Sequence, residues 1–184
     1  MNRTLMVVDM QNDFIDGILA VPKARSIIPN VCSLIEHGGY DRIICTWDSH
    51  DPDTYRETVE GRRIPIHCLG GTRGHELHRD LTKALSGFKG EIHMVRKGRF
   101  GINNKAIPLE EDGIIDVCGL CTDICVVSNA LIMRSELPWR PMRIVTDACA
   151  GTSDEAHKAA ITVMESCLID PITTASVIDD VSKR

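Results

Sequence analysis

Apolar residues in this chain fall in short blocks separated by stretches of helical periodicity. "LMVV" (5–8), "RIICTW" (42–47), "IHMV" (92–95), "IIDVCGL" (114–120), "MRIVTDA" (142–148) and "TTASVI" (173–178) read as strands. Most lack the strict alternation of a half-exposed strand, as parallel strands covered on both faces do. Apolar residues at helical spacing predict helices over 25–37, 75–86, 122–136 and 153–167. The last is the most fully signalled. Ser153 stands at the N-cap, acidic residues follow in the first turn, and apolar residues then recur at helical spacing. Strands alternating with helices predict a doubly wound, mostly parallel α/β sheet with helices on both faces. The stretch 51–74 is long, polar and rich in Gly, Pro and Arg; a loop of that length in a compact fold is usually functional.

Composition narrows the class. A length of 184 residues fits one domain spanning 1–184. Hydrophobic residues at 43% and charged residues at 26% are those of a globular protein. A net charge of -5, with no basic run, argues against nucleic acid and membrane surfaces as partners. The opening "MNRTLMVVDMQNDF" has too short an apolar block for a signal peptide, and nothing approaches the ~18 apolar residues of a membrane span. These features predict a cytoplasmic location. There the eight cysteines read as core, metal or catalytic residues, not disulfides.

The polar residues that stand out sit at the ends of predicted strands. Asp9 ends the first, Asp48 the second and Lys97 the third, while Cys118, Cys121 and Cys125 gather at the end of the fourth. In open parallel sheets the ligand crevice lies at the carboxyl ends of the strands, so four strand ends bring these groups to one rim. Each has a plain reading beside a chemical one. Asp9 is a structural carboxylate or a proton carrier, and Asp13 is a candidate loop cap. Lys97 is a snorkelling lysine or a cation that lowers a thiol's pKa. Asp48 and His50, two apart on a strand end, point the same way, and His67 from the next loop completes a three-ligand set suited to Zn, Fe or Mn. The alternative is that they are ordinary polar residues on the surface. Cys118 belongs to strand packing. The Cys118–Cys121 pair is a weak redox or zinc signal, because no second pair at that spacing exists. With Thr122 as N-cap, Cys125 occupies the third helical position, where the helix dipole favours a thiolate.

Together these segments resemble the isochorismatase-like cysteine hydrolases, nicotinamidases (pyrazinamidases) most closely. "VVDMQNDF" looks like the family's first strand with its catalytic Asp, "VRKGRF" like its lysine segment and "GLCTDICV" like its nucleophile turn. The resemblance covers nearly the whole chain. It implies a Rossmann-like fold and a triad of Asp9, Lys97 and Cys125. It implies a cis peptide at Leu120–Cys121 and an oxyanion hole from the N–H groups of Cys121 and Cys125. Its metal-bearing members correspond to "CTWDSH" and "IPIHC", hence Asp48, His50 and His67, and Glu60 matches the Glu that some members add. The pocket would include Phe14, Trp47, Ile64, Phe100 and Ile124. Ile64 stands where the family usually places an aromatic residue.

The function this resemblance implies is hydrolysis of nicotinamide to nicotinate and ammonia through a thioester on Cys125, with a role in NAD salvage. A related activity on another small amide or carbamoyl compound is the alternative. Isochorismatase-type hydrolysis, which needs no thiol, fits Cys125 less well. The implied cofactor is a divalent metal, zinc before iron or manganese, with no organic cofactor. The implied assembly is a dimer or tetramer.

Overall fold

The computed structural model describes residues 2–103 and 112–183. In chain order the elements are β1 (Arg3–Val8), α1 (Asn12–Ile15), α2 (Ala24–His37), β2 (Arg42–Asp48), α3 (Pro52–Tyr55), a 3-10 turn (Arg73–His75), α4 (Arg79–Gly87) and β3 (Glu91–Lys97). They continue with β4 (Ile114–Leu120), a π-helical turn (Thr122–Val126) running into α5 (Val127–Glu136), β5 (Met142–Ala150), α6 (Asp154–Ser166), β6 (Asp170–Ile172) and α7 (Thr174–Ser182). The six strands form one all-parallel sheet in the order β3-β2-β1-β4-β5-β6. All six residues of β1 are buried, because this central strand is covered on both faces. The chain winds outward from β1 in one direction through β2 and β3, then in the other through β4, β5 and β6. Right-handed crossovers therefore put α2 and α4 on one face and α5 and α6 on the other. In keeping with this, α2 packs on α4 and α7, and α5 packs on α6. The winding reverses between β1 and β4, and a crevice opens at their carboxyl ends.

The predicted doubly wound sheet is present, with two local corrections. "TTASVI" is not a strand. The Thr173 hydroxyl accepts the Ser176 N–H (3.3 Å) and caps α7, which buries Thr174 and Val177. The outermost strand is the three-residue "DPI" just before it, and Pro171 is tolerated there because an edge strand leaves one side unpaired. The helix expected from residue 75 starts only at Arg79, since Arg73–His75 form a separate 3-10 turn. Among the described residues no helix is long and apolar enough to cross a membrane. All eight cysteines are free.

At the amino ends of the strands a buried charge cluster ties the sheet to the last helix. Asp116 on β4 is fully buried. Its carboxylate accepts two bonds from Arg143 (2.6 and 2.8 Å) and one from the Tyr40 hydroxyl (2.7 Å), and Arg3 lies 3.6 Å away. Arg143 also reaches Asp180 of α7 at 3.0 Å. Removing the shared acceptor strands buried cations, which typically costs about 3–5 kcal/mol. Asp116→Ala should accordingly lower the urea midpoint by that much stability with an unchanged slope. A loss well below 1 kcal/mol would show that the cluster contributes little.

Candidate active site

Asp9 follows β1 directly. Its φ is 48°, a left-handed conformation uncommon for any residue but glycine. This turn keeps the side chain under the rim, where it is fully buried. Thr46 of β2 holds it: the hydroxyl donates to Asp9 Oδ1 (2.6 Å) and accepts from the Asp9 N–H (3.2 Å). Lys97 ends β3 and pairs in register with Asp48. Its Nζ lies 2.6 Å from Asp9 Oδ2, 3.4 Å from Asp48 Oδ1 and 3.6 Å from Cys125 Sγ. One buried ammonium thus touches all three other groups.

The thiol reaches this point through an irregular turn. The β4–β5 register shifts between Val117 and Gly119. Gly119 has φ 119°, and a Cβ there would meet the Val8 carbonyl at 2.2 Å, so only glycine lets the strands pass. The Leu120–Cys121 peptide is cis, as the resemblance implied. The expected N-cap at Thr122 is displaced by one residue. Cys121 takes that position without a side-chain cap, and the Thr122 hydroxyl instead bonds His157 Nδ1 at 2.8 Å. The helical stretch opens as a π-turn, in which the N–H groups of Ile124 and Val126 both donate to the Cys121 carbonyl (3.0 Å each). Such turns favour functional positions. Buried Asn129 secures the turn by donating to the Cys125 carbonyl (2.6 Å) and, on the other side, accepting the Ile102 N–H (2.9 Å).

Electrostatics here run against the helix-dipole argument, which favours a thiolate at Cys125. Burial, and after it the Asp9 charge, pushes the Cys125 thiol well above its ordinary pKa, and Lys97 only partly opposes this. Burial favours the neutral amine of Lys97, but Asp9, Cys125 and Asp48 outweigh it and hold the ammonium charged. Burial also raises the Asp9 carboxyl, with Lys97 opposing. These directions favour the protonated form of the Cys125 thiol, which sits beside the close Asp9–Lys97 contact (2.6 Å).

Asp48, His50 and His67 form a second centre on the far side of Lys97. Asp48 Oδ2 lies 2.9 Å from His50 Nε2 and 3.2 Å from His67 Nε2, and one ligand atom from each of the three falls within 4.8 Å of the others. Glu60 Oε1 is 3.8 Å from His67 Nε2. His67 Nδ1 donates to the Pro65 carbonyl at 2.9 Å, which turns Nε2 toward the Asp48 and Glu60 carboxylates. Burial would lower the His67 pKa, but these carboxylates raise it. The Nε2 position therefore takes either a proton or a cation. The donor set therefore fits a divalent metal. Burial would raise the Asp48 carboxyl, yet His50, His67 and Lys97 hold it well below its ordinary range.

A cavity of about 420 Å³ opens onto both centres. Phe14, Ile64, Phe100 and Ile124, named in the sequence reading, line it beside Cys121, Cys125, Asp48, Glu60 and His67. Trp47 does not. It alternates with Thr46 and Asp48 along β2, so its side chain leaves by the opposite face. There it stacks on His75 with ring centroids 4.6 Å apart. The sequence reading missed several wall residues, among them Leu19–Pro22, Arg63 and Thr152. It also missed Thr46, whose only signal was its position two residues before Asp48.

With this geometry in view, likeness to known proteins is informative. The isochorismatase domain profile matches residues 3–176. The chain belongs to the isochorismatase family. A nicotinamidase/pyrazinamidase of Mycobacterium tuberculosis is 30% identical over 188 residues, covering 94% of this chain and all of that one. The crystal structure of a nicotinamidase from Bacillus subtilis superposes with a TM-score of 0.75 at 26% identity, over 93% of this chain and 99% of its own. An N-carbamoylsarcosine amidase from Thermoplasma acidophilum gives 0.75 at 25% identity, over 95% and 97%. This isochorismatase-family chain therefore spans essentially the full length of all three.

A protonated thiol at Cys125 has a measurable consequence. Alkylation of Cys125 by iodoacetamide, followed on its own peptide by mass spectrometry, should keep accelerating as pH rises above neutrality. A rate that levels off in the acid range would mean a preformed thiolate and overturn this charge assignment.

Proposed function

We infer that this isochorismatase-family protein is a metal-assisted cysteine amidohydrolase, with nicotinamide as its first-choice substrate. The observation that carries the reading is the position of Lys97 Nζ, in contact with Asp9, Asp48 and Cys125 at once. A thiol, a carboxylate and an ammonium around one point supply a nucleophile, a proton carrier and a fixed positive charge.

The steps follow from these groups. Cys125 Sγ attacks the amide carbon as Asp9 takes the thiol proton. The carbonyl oxygen becomes an oxyanion, which the backbone N–H groups of Cys121 and Cys125 are proposed to stabilise. Lys97 keeps Asp9 ionised before attack and offsets the negative charge on sulfur during it. The C–N bond breaks as Asp9 returns the proton to the departing nitrogen, releasing ammonia and leaving a thioester. Water then adds to the thioester carbon, with Asp9 accepting a proton. The C–S bond breaks, the acid departs and the thiol is restored. When bound by Asp48, His50 and His67, with Glu60 beside them, a divalent ion supplies a Lewis-acid anchor for a ring nitrogen; zinc is the first choice, iron and manganese the alternatives. The apolar walls at Phe14, Phe100 and Ile124 suit a flat aromatic ring.

A second substrate reading, a small carbamoyl or other non-aromatic amide, is favoured by two wall residues. Ile64 offers no ring for stacking, and Arg63 places a cation at the mouth.

Ammonia release from a panel of small amides, measured with and without chelator, tests both readings. Nicotinamide should be turned over fastest and chelator should suppress it. Cys125→Ala should abolish release, and Asp9→Asn should lower kcat/KM by about 10²–10⁴-fold. Surviving turnover in Cys125→Ala would refute the thioester route.

A further inference from the structure

The turn after Asp9 leads into α1 through "QND", residues 11–13, in which Gln11 is the N-cap and Asn12 and Asp13 open the helix; their side chains take no part in the chemistry above. We propose that Gln11 and Asp13 are the positioning residues of the metal centre, one holding Asp48 and the other holding the backbone that carries both histidines. This rests on the metal-site part of the preceding reading.

Gln11 is fully buried. Its carboxamide accepts the Asp48 N–H (2.7 Å), donates to the Asp48 carbonyl (2.8 Å) and donates to the His75 carbonyl (2.9 Å). The position explains the need. The next residue, Ser49, donates its N–H to Lys97 on the β3 side (2.8 Å), so Asp48's own N–H and C=O face β1. On that side the paired register ends at Val7 with Cys45. Gln11 thus supplies, from a side chain, the ladder bonds that strand β1 no longer reaches. The Asp48 backbone is pinned on both edges, and its carboxylate is left to face His50, His67 and Lys97.

Asp13 does the corresponding task for the loop. Its Oδ2 accepts the Cys68 N–H at 2.7 Å. Cys68 follows His67, is fully buried and has φ 48°, a conformation that persists only where the surroundings impose it. The Cys68 carbonyl in turn accepts the His50 N–H at 3.2 Å. One carboxylate therefore holds Cys68, the residue whose N–H it accepts and whose carbonyl ties back to His50, next in sequence to His67. Asp13 has room to do so because residue 74 is glycine: a Cβ there would lie 2.2 Å from the Asp13 carboxylate. Asn12 anchors the same turn, with its side chain donating to the Arg73 carbonyl at 2.8 Å and its N–H to the Glu76 carbonyl at 2.9 Å.

The test uses the full chain stripped of metal, with zinc alone as the probe. Zinc affinity is read by competition with a chromophoric chelator, and thermal midpoints are recorded with and without zinc. Asp13→Ala, Gln11→Glu and Gly74→Ala, the last acting only by pushing Asp13 aside, should each weaken zinc binding by about 10–100-fold. Each should lower the zinc-bound midpoint more than the metal-free one. Asp13→Asn still presents an oxygen to the Cys68 N–H and should recover most of the affinity. Zinc affinities indistinguishable from the parent protein would overturn the positioning role while leaving the metal centre intact. An equal fall of both midpoints, or loss of folding in all three weakened variants, would also overturn it, because the segment would then be a general staple. A parent protein that takes up no zinc would instead remove the metal reading and this proposal with it.

Discussion

The ion pair between Asp9 and Lys97 is the constraint around which the rim is arranged. Both groups are buried, and a buried charge survives only with close partners, since removing one strands the other at a cost of about 3–5 kcal/mol. Their 2.6 Å contact requires β1 to end where it does, and it requires Lys97 to sit opposite Asp48 in the β2–β3 register. A one-residue slip of β3 would turn Lys97 to the other face. Sheet register, ordinarily a matter of packing, here sets the distances between a thiol and two carboxylates, one of them Asp48 of the candidate metal site. Because one ammonium serves both centres, neither can shift without disturbing the other.

Much of this was legible in the chain because parallel strands buried on both faces leave unbroken apolar blocks. A charge immediately after such a block has few places to go, which is why Asp9, Asp48 and Lys97 stood out together. The isochorismatase-type motifs then assigned them roles that composition and spacing had left open. Cys125 was nominated partly through a helix start that proved to be one residue off. Its location among Asp9 and Lys97 does not depend on that cap, but the argument for an intrinsically acidic thiol did. In this site burial outweighs the helix dipole and pushes the Cys125 thiol well above its ordinary pKa.

What stayed hidden has specific physical causes. Thr46 and Gln11 act through hydrogen bonds that join segments 37 residues apart, and nothing in local periodicity distinguishes them from ordinary strand and loop residues. The β-branched run at 173–178 imitates a strand, and only the Thr173 cap shows it to be a helix start. Trp47 was a different kind of miss. The alternation that places Asp48 in the site also excludes its immediate neighbour, so the period-2 rule already contained the correct answer.

The division between strand ends and loops also bears on selectivity. The groups of the candidate site stand on three strand ends and one helical turn, where register and burial hold them. The pocket walls come from separate segments at 14, 19–22, 60–65, 100, 124 and 152, most of them loops. Loops change at little cost to the scaffold, so a family can keep one chemistry and exchange its substrates. The walls are not all equally free. Asn129 bonds the Phe100 and Cys125 carbonyls together (3.2 and 2.6 Å), which ties that wall to the turn carrying Cys125. Among the described residues the 60–65 segment has no such hydrogen-bonded tie to the thiol, and Glu60 brings it to His67 (3.8 Å). Substrate preference is therefore freest to vary at Arg63 and Ile64, on the side where the ring or carbamoyl end of an amide would rest, and most constrained beside the reacting carbon.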